Sequence, residues 1–195
     1  EAQVSSASEP DVKLIADNSN TANGSSWVSA SGNDEGTAAP SDVSDKSIAK
    51  LNSFIFQLNK ENTKYLYLLK NKTIEQTFPP IFLHIKSYGG CVMSALAAID
   101  IMETSMSPIY TIIEGYAASA ATMLSIMGEK RYMHKNAHML IHQMSSGFWG
   151  KMEEIKDEMK NLNRIEKVIT KIYKDKAEIP NKTYNKILKH DLWWS

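Results

Sequence analysis

Ser119 lies in Gly115-Tyr-Ala-Ala-Ser-Ala-Ala121, where an apolar run ending near Ile113 gives way to a second apolar stretch. A serine at the head of a helix suits nucleophilic acyl transfer, because the first amides and the macrodipole favour the negative charge that develops there. Ala117, Ala118, Ala120 and Ala121 leave room for a substrate backbone. The position also has a plainer reading, since a serine at a helix start is more often an N-cap. Gly89-Gly90 follows another apolar run, Ile81 to Ser87. A glycine pair turns the chain sharply and presents an N–H with no side chain in the way, so the Gly90 amide could face an oxyanion. Taken singly, this pair too reads as a tight turn. Strand ends in a parallel sheet gather on one edge, so turns at 88–91 and 115–119 are expected side by side, as a nucleophile and its oxyanion hole require.

A serine nucleophile needs a base, and five histidines are available: His84, His134, His138, His142 and His190. His84 falls within a strand and reads as structural. His134, His138 and His142 are four apart, a spacing that would align three metal ligands on a helix. Asn136 and the run Met139-Leu-Ile favour turn plus strand instead, and no acidic residue lies among them, so no metal site is expected. His142, at the end of that run, is best placed to reach a neighbouring strand edge; its plainer reading is a satisfied core histidine. A third member would be a carboxylate that holds the histidine tautomer. Asp191 stands out because Leu-Trp-Trp follows it and would anchor it, although an aspartate before aromatics is commonplace.

These residues depend on the elements around them. Ile48, Leu51, Phe54, Ile55 and Leu58 recur at helical spacing, predicting a first helix over 45–60 capped by Ser44 or Asp45. Tyr65 to Leu69 reads as a short strand or a helical turn. A buried strand over 81–87, a helix over 91–104, a strand over 108–113, a turn at Gly115 and a helix over 117–127 give a βαβα succession. That order implies parallel strands covered by helices. Short strands follow at 131–133 and 138–142. Met152, Ile155, Met159, Leu162, Ile165, Ile169 and Ile172 predict a helix from about 150 to 174. At roughly 37 Å it is longer than a small domain needs, so part of it is expected to meet another subunit. A short helix at 184–189 completes the set.

At 195 residues the chain fits one domain. Residues 1–44, rich in Ser, Asn, Ala, Gly and Asp, are expected to be flexible, and 45–195 to fold. Lys plus Arg and Asp plus Glu both number 22, with no basic block, which argues against a nucleic-acid partner. The single cysteine, Cys91, excludes an intrachain disulfide framework. No apolar window is long enough to cross a bilayer, so no membrane partner is expected. The chain begins with Glu1, which fits a removed targeting segment or a fragment.

Together the motifs resemble the proteolytic subunit of the ATP-dependent Clp protease family. Ile81 to Lys86 with Ser87-Tyr-Gly-Gly90 is similar to its strand and Ser-Pro-Gly-Gly turn. Gly115-Tyr-Ala-Ala-Ser119-Ala resembles its Gly-x-Ala-Ala-Ser motif, Met139-Leu-Ile-His142-Gln143 its Ile-His-Gln motif, and Lys189-His-Asp191-Leu-Trp-Trp-Ser195 its Arg-Asp-x-aromatic-x-Ser element. The likeness covers 47–195, about three quarters of the chain. It departs at Tyr88, where the family has proline, at Met144-Ser145, and in residues 1–44, which lack a recognisable first strand and axial loop. The chain ends four residues past Asp191 without the family's closing strand, which reads as a truncated or divergent copy such as a virus might encode.

The resemblance implies an α/β fold of the Clp and crotonase type, a mainly parallel sheet flanked by helices with a protruding handle helix. It implies a Ser119–His142–Asp191 triad, with the Gly90 and Ala120 amides as oxyanion hole. It further implies heptameric rings stacked as a tetradecamer, an AAA+ Clp unfoldase that spends ATP, unfolded proteins as substrates, and no cofactor in the subunit itself. A cytoplasmic address is expected, with an organellar matrix or virus-infected host cytoplasm as variants. Two rivals remain: a non-catalytic ring subunit, and a crotonase-like acyl-CoA-binding protein.

Overall fold

A computed structural model describes residues 26–29, 42–69 and 77–195. Strand β1, Ser26–Ser29, precedes helix α1, Asp45–Leu69. Ser44 starts α1 by accepting a hydrogen bond from the Ser47 amide at 3.3 Å through its Oγ. The helix runs nine residues beyond the expected end at 60 and absorbs Tyr65 to Leu69, because no glycine or proline interrupts it. Ile48, Leu51 and Ile55 are its buried face. Asn62 fixes its far end, donating to Ser107 Oγ at 2.8 Å and to the Pro79 carbonyl at 3.3 Å.

Strand β2, Ile81–Ser87, buries every second side chain: Ile81, Leu83, Ile85 and Ser87. Helix α2, Val92–Glu103, supplies Ala95, Ala98, Ile99 and Met102 to the same core. Strand β3, Ile109–Ala118, differs from expectation, for it does not stop before Gly115. Ile85 pairs with Ile113 and Ser87 with Ala117, so two extra β3 residues are looped into a bulge that Gly115 permits at φ 79°. Helix α3 is correspondingly shorter than 117–127, at Ala120–Ile126, and all seven of its residues are buried.

The bulge divides β3 between two partners. Its first half, Tyr110 to Ile113, pairs with β4, Lys130–Met133, and its second half, Tyr116 to Ala118, with β5, His138–Leu140. Helix α4, Met152–Ala177, follows, then α5, Asn181–Ile187, and β6, Trp193–Trp194. The sheet order is β1-β2-β3-β5-β6, with β4 also on β3. Every pairing is parallel except that of β5 with β6. The architecture is therefore the expected α/β fold with a mainly parallel sheet.

Two expectations need correction. A closing strand is present, because β6 pairs antiparallel with β5. Part of the 1–44 segment also belongs to the fold. Strand β1 pairs with β2, and Val43, 4% exposed, bridges Gly90, so the boundary at 45 cuts through a built region. Sequence composition misses both because single short segments gain order from strands already in place. The remainder of that stretch, 1–25 and 30–41, lies outside the described residues.

Helix α4 has 26 residues, about 39 Å of helix. Glu154 closes its first turn by accepting from the Lys151 amide at 2.8 Å. Ile169, Ile172, Tyr173 and Ala177 pack on the core, while Met152 and Met159 stand exposed. The N-terminal part thus projects away from the body. Among the described residues no helix is long and apolar enough to cross a membrane.

Candidate active site

Ser119 joins β3 to α3 with φ 52° and ψ −126°, a conformation that non-glycine residues rarely adopt. Its side chain makes no capping hydrogen bond, which removes the N-cap reading. Three groups hold the elbow. The Ser119 amide donates to the Leu140 carbonyl at 2.9 Å, continuing the β3–β5 ladder into the turn. The Ser119 carbonyl accepts from the Thr122 amide at 2.9 Å and from Thr122 Oγ1 at 2.6 Å. Gly89 lies hard against its outer side: a Cβ there would be 2.7 Å from Ser119 Cβ, 2.6 Å from the Ala118 oxygen and 2.9 Å from the Ala120 nitrogen. The two turns are therefore adjacent.

The amides of the glycine turn divide their work. Gly89 N–H donates to Ser87 Oγ at 3.1 Å, and Cys91 N–H to the Val43 carbonyl at 2.7 Å. Val43 N–H donates to the Gly89 carbonyl at 2.8 Å, and a Cβ at Gly90 would fall 2.4 Å from the Val43 oxygen. Val43 thereby clamps the turn and requires glycine at 90. Among the described residues the Gly90 and Ala120 amides have no hydrogen-bond acceptor. Ala120 is the first residue of α3, where the amides lack intrahelical partners. Two donors are thus left uncommitted on either side of the Gly89–Ser119 contact.

His142 lies two residues beyond β5, half-buried like Ser119. Because Leu140 pairs with Ala118 and its carbonyl holds the Ser119 amide, the chain leaving β5 runs beside the elbow. Leu140 also pairs with Trp193, so His142 and Asp191 each lie two residues beyond the same end of that antiparallel ladder. Asp191 is exposed. No side-chain hydrogen bond joins Ser119, His142 and Asp191 among the described residues. Ser119, Gly90 and Ala120 are brought together, whereas the histidine and aspartate each lie two residues beyond the same end of the β5–β6 ladder and make no side-chain hydrogen bond with the serine among the described residues. Catalytic hydrogen bonds are commonly long before substrate binds.

The other histidines sit apart from this constellation. His84 bonds to Glu114 through Nδ1 at 2.5 Å on the sheet. His138 Nδ1 meets the Asn136 carbonyl at 3.1 Å. His138 lies in β5, whereas His134 precedes the turn at 135–136 and His142 follows β5, so the strand expected over 138–142 ends at Leu140. Among the described residues no three His, Cys, Asp or Glu side chains are grouped to hold a metal ion.

Sequence reasoning missed an aromatic row beside the glycine turn. Tyr88 stacks on Tyr116 with centroids 4.3 Å apart, and Tyr116 meets Trp193 edge-on at 6.4 Å. Burial, with Tyr88 beside it, pushes the Tyr116 phenol above its ordinary value. The departure at Tyr88 was the available signal, but its partners come from strands far apart in sequence. Thr122 and Tyr173, which bear on the Ser119 carbonyl, carried no motif at all.

Comparison with known proteins gives one family. Residues 43–195 match the family model described as Clp protease. Among similar proteins, the ATP-dependent Clp protease proteolytic subunit of Triticum aestivum is 32% identical over 126 residues, 63% of this chain and 58% of the relative. The ATP-dependent Clp protease proteolytic subunit 2 of Treponema denticola is 32% identical over 141 residues, 70% of each. The Zea mays subunit is 32% identical over 126 residues, with the same coverage as the wheat protein. The match therefore spans less than two thirds of the length of the plant relatives.

Proposed function

This chain belongs to the Clp protease family, and we propose that it is a serine peptidase subunit acting through Ser119, His142 and Asp191. The observation that carries this reading is the Ser119 elbow, a strained, uncapped serine flanked by the amides of Gly90 and Ala120, which have no acceptor among the described residues. Backbone strain of this kind costs on the order of 1–3 kcal/mol and persists only where the surroundings enforce it.

Ser119 Oγ attacks the scissile carbonyl carbon as His142 takes its proton. The carbonyl electrons move onto oxygen, and the Gly90 and Ala120 N–H groups donate to that oxyanion. Collapse breaks the C–N bond, His142 returns its proton to the departing amine, and an acyl-enzyme remains. Water then attacks, His142 again acting as base, and Ser119 is released with a carboxylic acid product. Asp191 accepts from the histidine ring and fixes its tautomer. No metal or organic cofactor has a step in this scheme.

Two features support assembly. The projecting part of α4 exposes Met152 at 66% and Met159 at 47%, apolar surface that a second subunit would cover. Family membership supports stacked heptameric rings fed with unfolded protein by an AAA+ Clp unfoldase that consumes ATP. The cytoplasm or an organellar matrix suits such an assembly. A second reading, a non-catalytic ring subunit, is favoured by the lack of side-chain hydrogen bonds among Ser119, His142 and Asp191.

Fluorophosphonate labelling of the purified chain, with mass spectrometry to locate the adduct, decides between them. The peptidase reading expects an adduct on Ser119, none in Ser119→Ala, a loss of at least 100-fold in rate in His142→Ala and a smaller loss in Asp191→Asn. Assembled particles without an adduct would make the chain a structural subunit.

A further inference from the structure

We propose that Thr122 and Tyr173 are a positioning pair that aims the Ala120 amide and so governs the strength of the oxyanion hole. The inference rests on the reading of Ser119 as the nucleophile. Thr122 Oγ1 lies 2.6 Å from the Ser119 carbonyl oxygen, and Tyr173 Oη lies 2.5 Å from Thr122 Oγ1. A carbonyl can only accept, and a threonine hydroxyl has one proton. That proton is committed to Ser119, so Tyr173 is the donor to Thr122. The result is a directed relay running from Tyr173 through Thr122 to the backbone of the nucleophile.

The Ser119 carbonyl and the Ala120 N–H are opposite sides of one planar trans peptide. Holding the oxygen therefore sets the direction of the hydrogen. The torsion that orients this plane is the Ser119 ψ of −126°, part of the unfavourable pair described above. Without the two hydroxyls, the Thr122 amide would be the one hydrogen bond left on that oxygen among the described residues, with the Gly89 contact as the remaining restraint on the plane. Hydrogen bonds to the oxygen also polarise the peptide, which makes its N–H a better donor to an oxyanion.

Both side chains are deeply buried, Thr122 at 0% and Tyr173 at 3% exposure. Burial holds the Tyr173 phenol above its ordinary value, so it remains a neutral donor throughout the physiological range. A phenylalanine would fill the same space, packed against Tyr184 at a centroid distance of 5.4 Å, with no hydroxyl to desolvate. The hydroxyl earns its place only through Thr122. Tyr173 also lies on the part of α4 that packs on the core, so the relay connects the long helix to the elbow.

The test uses the full chain in its assembled state, with fluorophosphonate inactivation resolved into a maximal rate and an apparent affinity, at equal folded fraction. Deleting one oxyanion donor outright typically costs 100- to 1,000-fold, so misaiming it should cost less. Tyr173→Phe and Thr122→Val are expected to lower the maximal rate roughly 5- to 50-fold while leaving affinity within about twofold. Thr122→Ser, which keeps the hydroxyl, should return the rate to within about twofold of the original chain. Thr111→Val is the control, because Thr111 Oγ1 is equally buried and donates to the Ser125 carbonyl at 2.6 Å on the same helix. It should lower stability and leave the maximal rate unchanged. Equal rates in Tyr173→Phe, Thr122→Val and the original chain would overturn the inference, as would a Thr122→Ser rate no better than Thr122→Val. If Tyr173→Phe does not fold, 3-fluorotyrosine at 173 strengthens the donor at nearly constant size, and an unmoved maximal rate would again overturn it. A chain that forms no adduct at Ser119 refutes instead the nucleophile reading, and with it the pair's role.

Discussion

Replacing Gly89 by alanine should damage the elbow far more than the same change at Gly115, which shares its positive φ. Two penalties combine. Gly89 has φ 97°, where a Cβ costs about 1–2 kcal/mol. The new methyl would also fall 2.6 Å from the Ala118 oxygen, 2.7 Å from Ser119 Cβ and 2.9 Å from the Ala120 nitrogen, mainly backbone atoms that cannot swing aside. Overpacking of this kind adds about 1–3 kcal/mol. The reduced freedom of the unfolded chain returns about 0.4–1 kcal/mol, leaving a net loss of about 1–4.6 kcal/mol, centred near 3. Gly115→Ala is the matched comparison, because φ is 79° there but the nearest atom to a new Cβ is Lys86 Cε at 4.0 Å. It should lose only about 1 kcal/mol. Urea denaturation at matched protein concentration measures both, and fluorophosphonate labelling of the folded fraction reports on Ser119. Gly89→Ala should lose labelling beyond its loss of folded protein, whereas Gly115→Ala should not. If the two variants lose equal stability and label alike, the contact between the glycine turn and the serine does not hold the elbow.

Asn62→Ala should cost about 1.5–3 kcal/mol in urea denaturation, because it leaves buried Ser107 without its donor and frees the Pro79 carbonyl, while Gln57→Ala, an exposed helical partner of Glu61, should change stability by less than about 0.5 kcal/mol. Burial raises the Tyr173 phenol above its ordinary value, so the folded chain holds that proton more tightly than the unfolded chain. The stabilisation is full below about pH 10 and is lost as pH rises further, at up to about 1.4 kcal/mol per pH unit. Denaturation midpoints between pH 9 and pH 11 should therefore fall less steeply in Tyr173→Phe than in the original chain, and parallel slopes would refute the assignment.

The sequence determined the parts whose causes are local. Alternation in Ile81 to Ser87 specifies a strand with one buried face, and the three-four spacing of Met152 to Ile172 specifies a long helix with an apolar stripe. The ordered motifs around Gly90, Ser119, His142 and Asp191 were sufficient to indicate the family. Tertiary structure decided what depends on partners distant in sequence. The end of β3 could not be read from its own residues, because Gly115 looks like a turn until its neighbours β2 and β5 hold the strand through a bulge. The β6 strand and Val43 likewise owe their places to β5 and to the glycine turn, which offer unpaired backbone groups to whatever chain lies alongside. Whether Ser119 caps a helix or stands strained and uncapped depends on a torsion set by Leu140, Gly89 and Thr122 together. A torsion of that kind is a property of the packed molecule, since in an isolated peptide nothing would hold the serine away from its more favourable conformations.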